Sequence, residues 1–364
     1  MLVKNLKLTN FRNYESLDLD FSPGVNLIYG KNGQGKTNIA EAVYMFAVAK
    51  SHRVLKDREL IKYDSDFAVS EMVFSDFNRE YKGKFNLFRD RKREIFLNDI
   101  RCTKNSELIG KFNAVMFSPE DFTIIKNGPS ERRRFTDIAI SQVKPSYFLR
   151  LVEYQKVLKL KNKILKEDPE SYSGMLDIYD DLLAENAAHI IFFRKKFYDY
   201  ALSVCQDFHR EITLTLDKFE IRYDSCISPS TNINKMTEEI RKNLEKNRKR
   251  DIYERVSVFG PHREDVSFKI NGNKVKEFAS QGQQRTVILI MKLIQADYIK
   301  NITGEYPVLI LDDVLSELDK DRRKYILNGI KDKQVIITAT DKGSFSRRKD
   351  TFLIHIDNAK IIKD

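Results

Sequence analysis

Two short apolar strands, each ending in residues suited to holding phosphate or metal, sit at opposite ends of this 364-residue chain. VNLIYG runs into GKNGQGKTN, Gly30 to Asn38, and PVLILDD closes on Asp312 and Asp313. Gly30–Thr37 satisfies G-x-x-x-x-G-K-[ST] in full, with a strand before it and the helical stretch KTNIAEAVYMFAVA after it. Gly33 and Gly35 let backbone N–H groups close on phosphate oxygens, and the helix N-terminus adds positive charge. The expected contact set is Gly30, Lys31, Asn32, Gly33, Gln34, Gly35, Lys36, Thr37 and Asn38. Lys36 is placed to reach the β- and γ-phosphates of ATP, and the Thr37 hydroxyl to ligate Mg²⁺. Such a loop needs a second carboxylate at a neighbouring strand end. Asp312 is the candidate for Mg²⁺, with Asp313 polarising the attacking water. Two adjacent carboxylates at a strand end also suit a helix N-cap. Asp312 lies 276 positions beyond Lys36. The two ends of the chain must therefore share one sheet, and the middle is an insertion.

The flanks agree with that division. LVKNLKLTNF and YESLDLDF alternate apolar and polar residues, and AVSEMVF, YKGKFNLF and REIFLNDI read as further strands. From Pro119 to about Arg250 the chain is charged and mostly helical. Met175, Ile178, Leu182, Ile190, Phe193, Phe197, Val204 and Phe208 recur at three- and four-residue steps or their sums. That spacing predicts one long amphipathic helix of about 50 Å. ITLTLDKFEIRY is a short β-like interruption. After Phe259, DVSFKING and KVKEFAS read as strands, QQRTVILIMKLIQADYI as a helix, and QVIITAT and TFLIHI as strands. The predicted fold class is α/β, a P-loop head of mixed sheet and helices with an inserted, mostly helical lobe. Residues 1–118 plus 256–364 form the expected ATP-binding lobe and 119–255 the helical lobe, which leads to a phosphate-sensing element at 279–286.

That element is ASQGQQRT. Ser280, Gln281, Gly282 and Gln283 begin a helix whose N-terminus can meet a γ-phosphate. ATPases of the ABC class separate the P-loop from the second carboxylate with a helical lobe and such a signature. SELD, Ser316 to Asp319, resembles the D-loop of that class. There the P-loop and the signature of one chain do not share a nucleotide, so two copies dock head to tail around ATP. An ATP-driven homodimer is the expectation, with Lys36 of one copy facing Ser280 of the other.

A net charge of +11 and a pI near 9.2 point to a polyanionic partner. Candidate DNA contacts are Lys159 and Lys161 in LKLKNKILK, with Lys163 and Lys166, and Arg194, Lys195 and Lys196 in FFRKKF. ERRRF, Arg132 to Arg134, and the run from Arg241 to Arg250 are further basic stretches. Any of these runs also suits a solvated helix face. Three scattered cysteines argue against a disulfide framework and for a reducing compartment. Neither the cysteines nor the histidines form a zinc constellation. The start lacks an apolar core of signal-peptide length, and HIIFF and VILIM fall far short of the roughly 20 residues of a membrane helix. A soluble, cytoplasmic protein with no membrane partner is expected.

Several blocks together carry a family resemblance. LTNFRNYESLDLDFSPGVNLIYGKNGQGKTNIAEAVY, AKSHRVLKDRELI, FSPEDFTIIKNGPSERRRFTD, FGPHREDVSFKING, FASQGQQRT and LILDDVLSELD occur in this order. Along nearly the whole chain they resemble the RecF family of bacterial recombination-mediator ATPases, which is related to SMC-type heads. The resemblance implies a weak, DNA-stimulated ATPase that acts as a switch in replication, repair and the SOS response. It implies dimerisation on ATP and binding to duplex DNA and gap junctions. RecR and RecO are the implied partners in loading RecA at single-stranded gaps. Four positions depart from the pattern. Thr340 stands where ABC ATPases commonly have a His, and no Gln stands out around FSPEDF. GPHRED has Glu264 in place of the usual Asp, and KLKN only partly matches the family's basic helix motif. Ser51, His52 and Arg53 are either near the nucleotide or on a surface loop, and Arg12 either touches phosphate or pairs with an acid. An alternative from another class is the nucleotide-binding subunit of a membrane transporter. A nuclease with an ABC-like head is a third reading.

Overall fold

The computed structural model describes residues 1–167, 173–317, 319–329, 332–343, 345 and 351–362. Leu318, within the predicted Ser316–Asp319 segment, lies outside the described residues. Strands β1 Leu2–Phe11, β2 Tyr14–Asp20 and β3 Val25–Tyr29 lead to helix α1 Lys36–Val48. Strands β4 Phe67–Ser75, β5 Glu80–Phe88, β6 Glu94–Leu97, β7 Ile100–Cys102 and β8 Ala114–Phe117 follow. Helices α2 Thr123–Lys126, α3 Pro129–Ser141, α4 Pro145–Glu167 and α5 Ser173–Thr213 come next, then β9 Phe219–Asp224 and α6 Ile233–Glu254. The chain continues through β10 Asp265–Ile270, β11 Asn273–Lys274, α7 Val275–Phe278 and α8 Gln281–Thr303. It ends in β12 Val308–Asp312, α9 Lys320–Gly329, β13 Val335–Ala339, β14 Thr351–Asp357 and β15 Lys360–Ile362.

Contacts divide the chain into two compact units, one of residues 1–121, 211–214 and 288–364, the other of 122–210 and 215–287. The first holds two six-stranded sheets. In one, ordered β2-β1-β4-β5-β6-β7, all neighbours are antiparallel. Its strands alternate as a sheet with one covered face should: on β4, Ala68, Ser70, Met72 and Phe74 are buried and the residues between them are not. The other is ordered β15-β14-β3-β13-β12-β8 and is parallel except for the β14–β15 hairpin. Here β3, β8 and β12 are buried at every residue, which is why they are apolar apart from Asn26 and the terminal Asp312.

The second unit holds α2, α3, α4, α6, α7, most of α5 and the start of α8, with a three-stranded sheet, β11-β10-β9. Residues 256–287 group with it because β10 pairs along β9 from Asp265↔Asp224 to Ile270↔Phe219. KVKEFAS is not a strand. Only Asn273–Lys274 pairs with β10, and Val275–Phe278 coils into a single helical turn. The long helix exists as α5, with 41 residues and about 60 Å, but its predicted face is partly wrong. Met175, Ile178 and Leu182 are exposed, while Leu176, Leu183, Ala184, Ala187 and Ala188 are buried. Small alanines mark the inward side there, and a search for large apolar residues passes over them.

Two of the candidate DNA contacts are corrected by burial. Lys161 is fully buried, and its Nζ lies 2.6 Å from Asp251 and 2.7 Å from Asp180. Arg194 is buried on α5, donating to Glu264 Oε2, to the Pro261 carbonyl and to Asp137 Oδ1, each at 2.8 Å. Tyr223 and Ser225 also donate to Glu264. Thus the RRRFTD and GPHRED blocks are joined by a buried ionic network around Arg194, with Arg132 paired to Asp265 at 2.7 Å. Lys195 pairs with Asp199, and Lys196 lies over the Phe192 ring. Arg194→Met would strand two carboxylates in the interior and is expected to cost about 3 to 5 kcal/mol. Urea unfolding followed by a probe in the helical unit checks it, and an unchanged midpoint would refute the bracing role.

Candidate nucleotide site

In the parallel sheet β3 and β12 are not neighbours, because β13 runs between them. The loop after β3 and the end of β12 therefore emerge on the same carboxyl edge with one strand's width between them. Gly30 has φ 151, and a Cβ there would sit 2.1 Å from the Ile356 carbonyl of β14. Gly35 has φ 106, and a Cβ there would strike the Asn13 side chain at 2.7 Å. Both positions require glycine, for backbone conformation and for space. The loop is thus pressed between β14 and the β1–β2 turn.

Lys36 begins α1, and its Nζ donates to the carbonyls of Gly30 at 2.7 Å and Lys31 at 2.8 Å. Burial pulls its pKa down, opposed by Asp313 and Asp312. Thr37 Oγ1 donates to Asp312 Oδ1 at 3.0 Å, across 275 positions of chain. Thr338, on the intervening strand β13, donates to the same oxygen at 2.7 Å and accepts from the Asp313 amide at 3.0 Å. Burial raises the Asp312 pKa, and the two threonine hydroxyls oppose that shift. Asp313 is exposed, with φ 54, so the chain turns sharply just beyond the strand and presents this carboxylate to solvent. Its amide is engaged by Thr338 and its carbonyl accepts from Ser316.

Thr338 was not among the expected site residues. Its signal was a polar residue inside an otherwise apolar strand buried at all but its last residue. Glu41 was also missed, one turn into α1 and wholly buried. It accepts a forked pair of bonds from Arg12, at 2.9 and 3.0 Å, and another from Ser51 Oγ. Arg12 also donates to the Glu59 carbonyl, so it pairs with an acid. Arg53 lies 3.6 Å from Glu41 and donates to the Asn38 side chain at 3.2 Å. Asn38 in turn donates to Asn13, and Gln34 accepts from the Asn358 amide of the β14–β15 turn. At the end of β8, where no Gln was found, stands Glu120. Partial burial raises its pKa, Arg53 opposes that, and Asp121, Asp312 and Glu41 reinforce it.

Ser280, Gln281, Gly282 and Gln283 belong to the other compact unit. They form a reciprocal cap on α8: the Gln283 amide donates to Ser280 Oγ at 3.2 Å, and the Ser280 amide to Gln283 Oε1 at 2.9 Å. Ser280 and Gln283 are exposed. The turn preceding them is helical, so the element joins two helices. Thr340 is exposed just past β13.

The RecF/RecN/SMC N terminal domain family matches residues 2–363. A DNA replication and repair protein RecF from Clostridium kluyveri is 44% identical over 343 residues, covering 93% of each chain. One from Clostridium botulinum is 41% identical over 364 residues, covering 99% of each. The chain belongs to the RecF family of DNA replication and repair proteins. A solved structure of the recombination mediator protein RecF-ATP in the RecFOR pathway superimposes with a TM-score of 0.91 at 35% identity, covering 100% of this chain and 99% of that one. Its RecF-ATPrS counterpart gives 0.90 at 35%, covering 99% and 97%. A Smc head domain from Pyrococcus furiosus, bound to the C-terminal domain of ScpA, shares the fold at a TM-score of 0.56 and 15% identity, covering 99% of this chain and 95% of that one. The mixed α/β architecture is therefore that of RecF and SMC heads. Among the described residues no helix is long and apolar enough to cross a membrane.

Proposed function

We propose that this protein is an ATP-operated, DNA-binding recombination mediator that hydrolyses ATP slowly and uses it to control self-association. The observation that carries the reading is the Thr37–Asp312 hydrogen bond at 3.0 Å. It joins the two halves of a nucleotide site from opposite ends of the chain. Similarity to structures described with ATP and ATPrS supports the same ligand here. Thr37 Oγ1 and Asp312 Oδ1 are hard oxygen donors of the kind Mg²⁺ takes. The raised pKa of Asp312 means that its charged form is short of stabilisation, which a cation beside it would supply. When bound, Mg²⁺ neutralises charge on the β- and γ-phosphates.

The chain's own groups do the rest. The loop amides and the start of α1 hold the phosphates, and Lys36 moves from its carbonyl partners to the β- and γ-phosphate oxygens. Thr338 keeps Asp312 oriented and fixes the turn on which Asp313 sits. Asp313 accepts the proton of the attacking water. Arg53, anchored by Glu41 and Asn38, places its positive charge near Asp312 and Glu120. The exposed Ser280–Gln283 cap supplies the γ-phosphate contact to a second copy, so ATP bridges two chains and hydrolysis releases them. With RecR and RecO, the ATP-bound dimer on duplex or gapped DNA helps load RecA.

Mass in solution tests the reading, measured with and without ATP and then with gapped DNA at two salt concentrations. The expected result is a doubling of mass on ATP and DNA association that weakens steeply as salt rises. A chain that binds ATP and stays monomeric would remove the switch.

A further inference from the structure

We propose that the outward face of α4, carrying Lys156, Lys159, Lys163 and Lys166, is the surface along which DNA phosphates run. This rests on the DNA-binding reading above and narrows it from a class of partner to one helix face.

Burial sorts the lysines of this helix. Lys161 points inward, held by Asp180 and Asp251, and Tyr154, Val157, Ile164 and Leu165 are buried beside it. At 3.6 residues per turn, Lys156, Lys159, Lys163 and Lys166 fall on the opposite side, and Lys156, Lys159 and Lys166 are exposed along with most of the Lys163 side chain. Three- and four-residue steps set neighbouring side chains about 5–6 Å apart, over a row of about 15 Å. A duplex carries one negative charge per about 1.7 Å of its axis, so such a row meets several phosphates whatever the base sequence. Lysine, a compact charge on a flexible stem, suits that contact because it demands no fixed geometry.

Of the candidate runs named above, this row has the least internal neutralisation among the described residues. No Asp or Glu lies between Lys156 and Lys166. Lys156 and Lys163 have only loose, exposed partners, Glu153 at 3.7 Å and Glu167 at 3.8 Å, and such pairs contribute little. Among the described residues Lys159 and Lys166 have no ion-pair partner. The other stretches are engaged. Arg132 pairs with Asp265, Arg194 with Asp137 and Glu264, and Lys195 with Asp199. Arg241 pairs with Asp181, Arg248 with Asp177 and Asp180, and Arg250 with Glu254. On α6 the exposed Lys242, Lys246 and Lys249 share their outward side with Glu238, Glu239 and Glu245, so the field there is mixed.

The test replaces Lys156, Lys159, Lys163 and Lys166 with Gln in the full chain. Affinity for a gapped duplex is measured from low to high salt, beside a K242Q/K246Q/K249Q control on α6. The α4 variant should keep its thermal midpoint and its ATP-induced change of mass. Its slope of log affinity against log salt should flatten by up to about 0.9 per lost contact, about 3.6 for four, while the α6 control keeps the wild-type slope. An unchanged slope in the α4 variant, or an equal loss in the α6 control, overturns the assignment. Wild-type protein that ignores DNA while still dimerising on ATP would remove the DNA reading itself, and this surface with it.

Discussion

Lys36→Met should lower ATP affinity roughly a hundredfold, the loss of about 3 kcal/mol in charged hydrogen bonds to phosphate. With it should go the ATP-induced change of mass. The side chain starts α1, and its Nζ already sits against the Gly30 and Lys31 carbonyls, inside the loop that would hold the phosphates. Burial lowers its pKa, opposed by Asp313 and Asp312, and the two carbonyls hold the ammonium in place before any phosphate arrives. Methionine keeps the stem and removes the charge, and the fold should survive. Calorimetric titration with ATP and sedimentation with and without nucleotide read the two effects separately. A mutant that still dimerises on ATP would overturn the role given to Lys36.

Asp313→Asn should do the opposite to the dimer. Removal of the proposed base should slow hydrolysis roughly a hundredfold or more, while Lys36, Thr37 and Asp312 stay in place to bind ATP. The dimer should therefore form and persist. The substitution is conservative for the turn, because asparagine tolerates the positive φ found at Asp313. Single-turnover hydrolysis and the lifetime of the ATP-bound dimer are the measurements. Rapid turnover in the mutant would take Asp313 out of the chemistry.

Strands β3 and β12 of the parallel sheet were legible in the sequence because they are covered at every residue and so are largely apolar, whereas β8, equally apolar, was not read as a strand. The P-loop was legible because glycine is required twice within it, at Gly30 and Gly35, where φ is positive and a Cβ would collide with a neighbour. Harder to read were residues that act across the chain. Thr338 bridges Asp312 and the Asp313 amide only because β13 lies between β3 and β12, an adjacency that no local pattern announces. Glu41 gathers Arg12 from the β1–β2 turn and Ser51 and Arg53 from the loop after α1.

By itself the sequence determined the P-loop pattern, the apolar strands that end in Gly30 and in Asp312–Asp313, and the helical stretch between them. Those features rest on local chemistry and on periodicity, which survive without knowledge of neighbours. Only the tertiary structure decided which charges are available. Lys159 and Lys161 stand two residues apart in one basic run, yet one is exposed and the other is buried between Asp180 and Asp251. A helix turns about 200° over two residues. Which side of that turn meets protein is set by partners about twenty and ninety residues downstream.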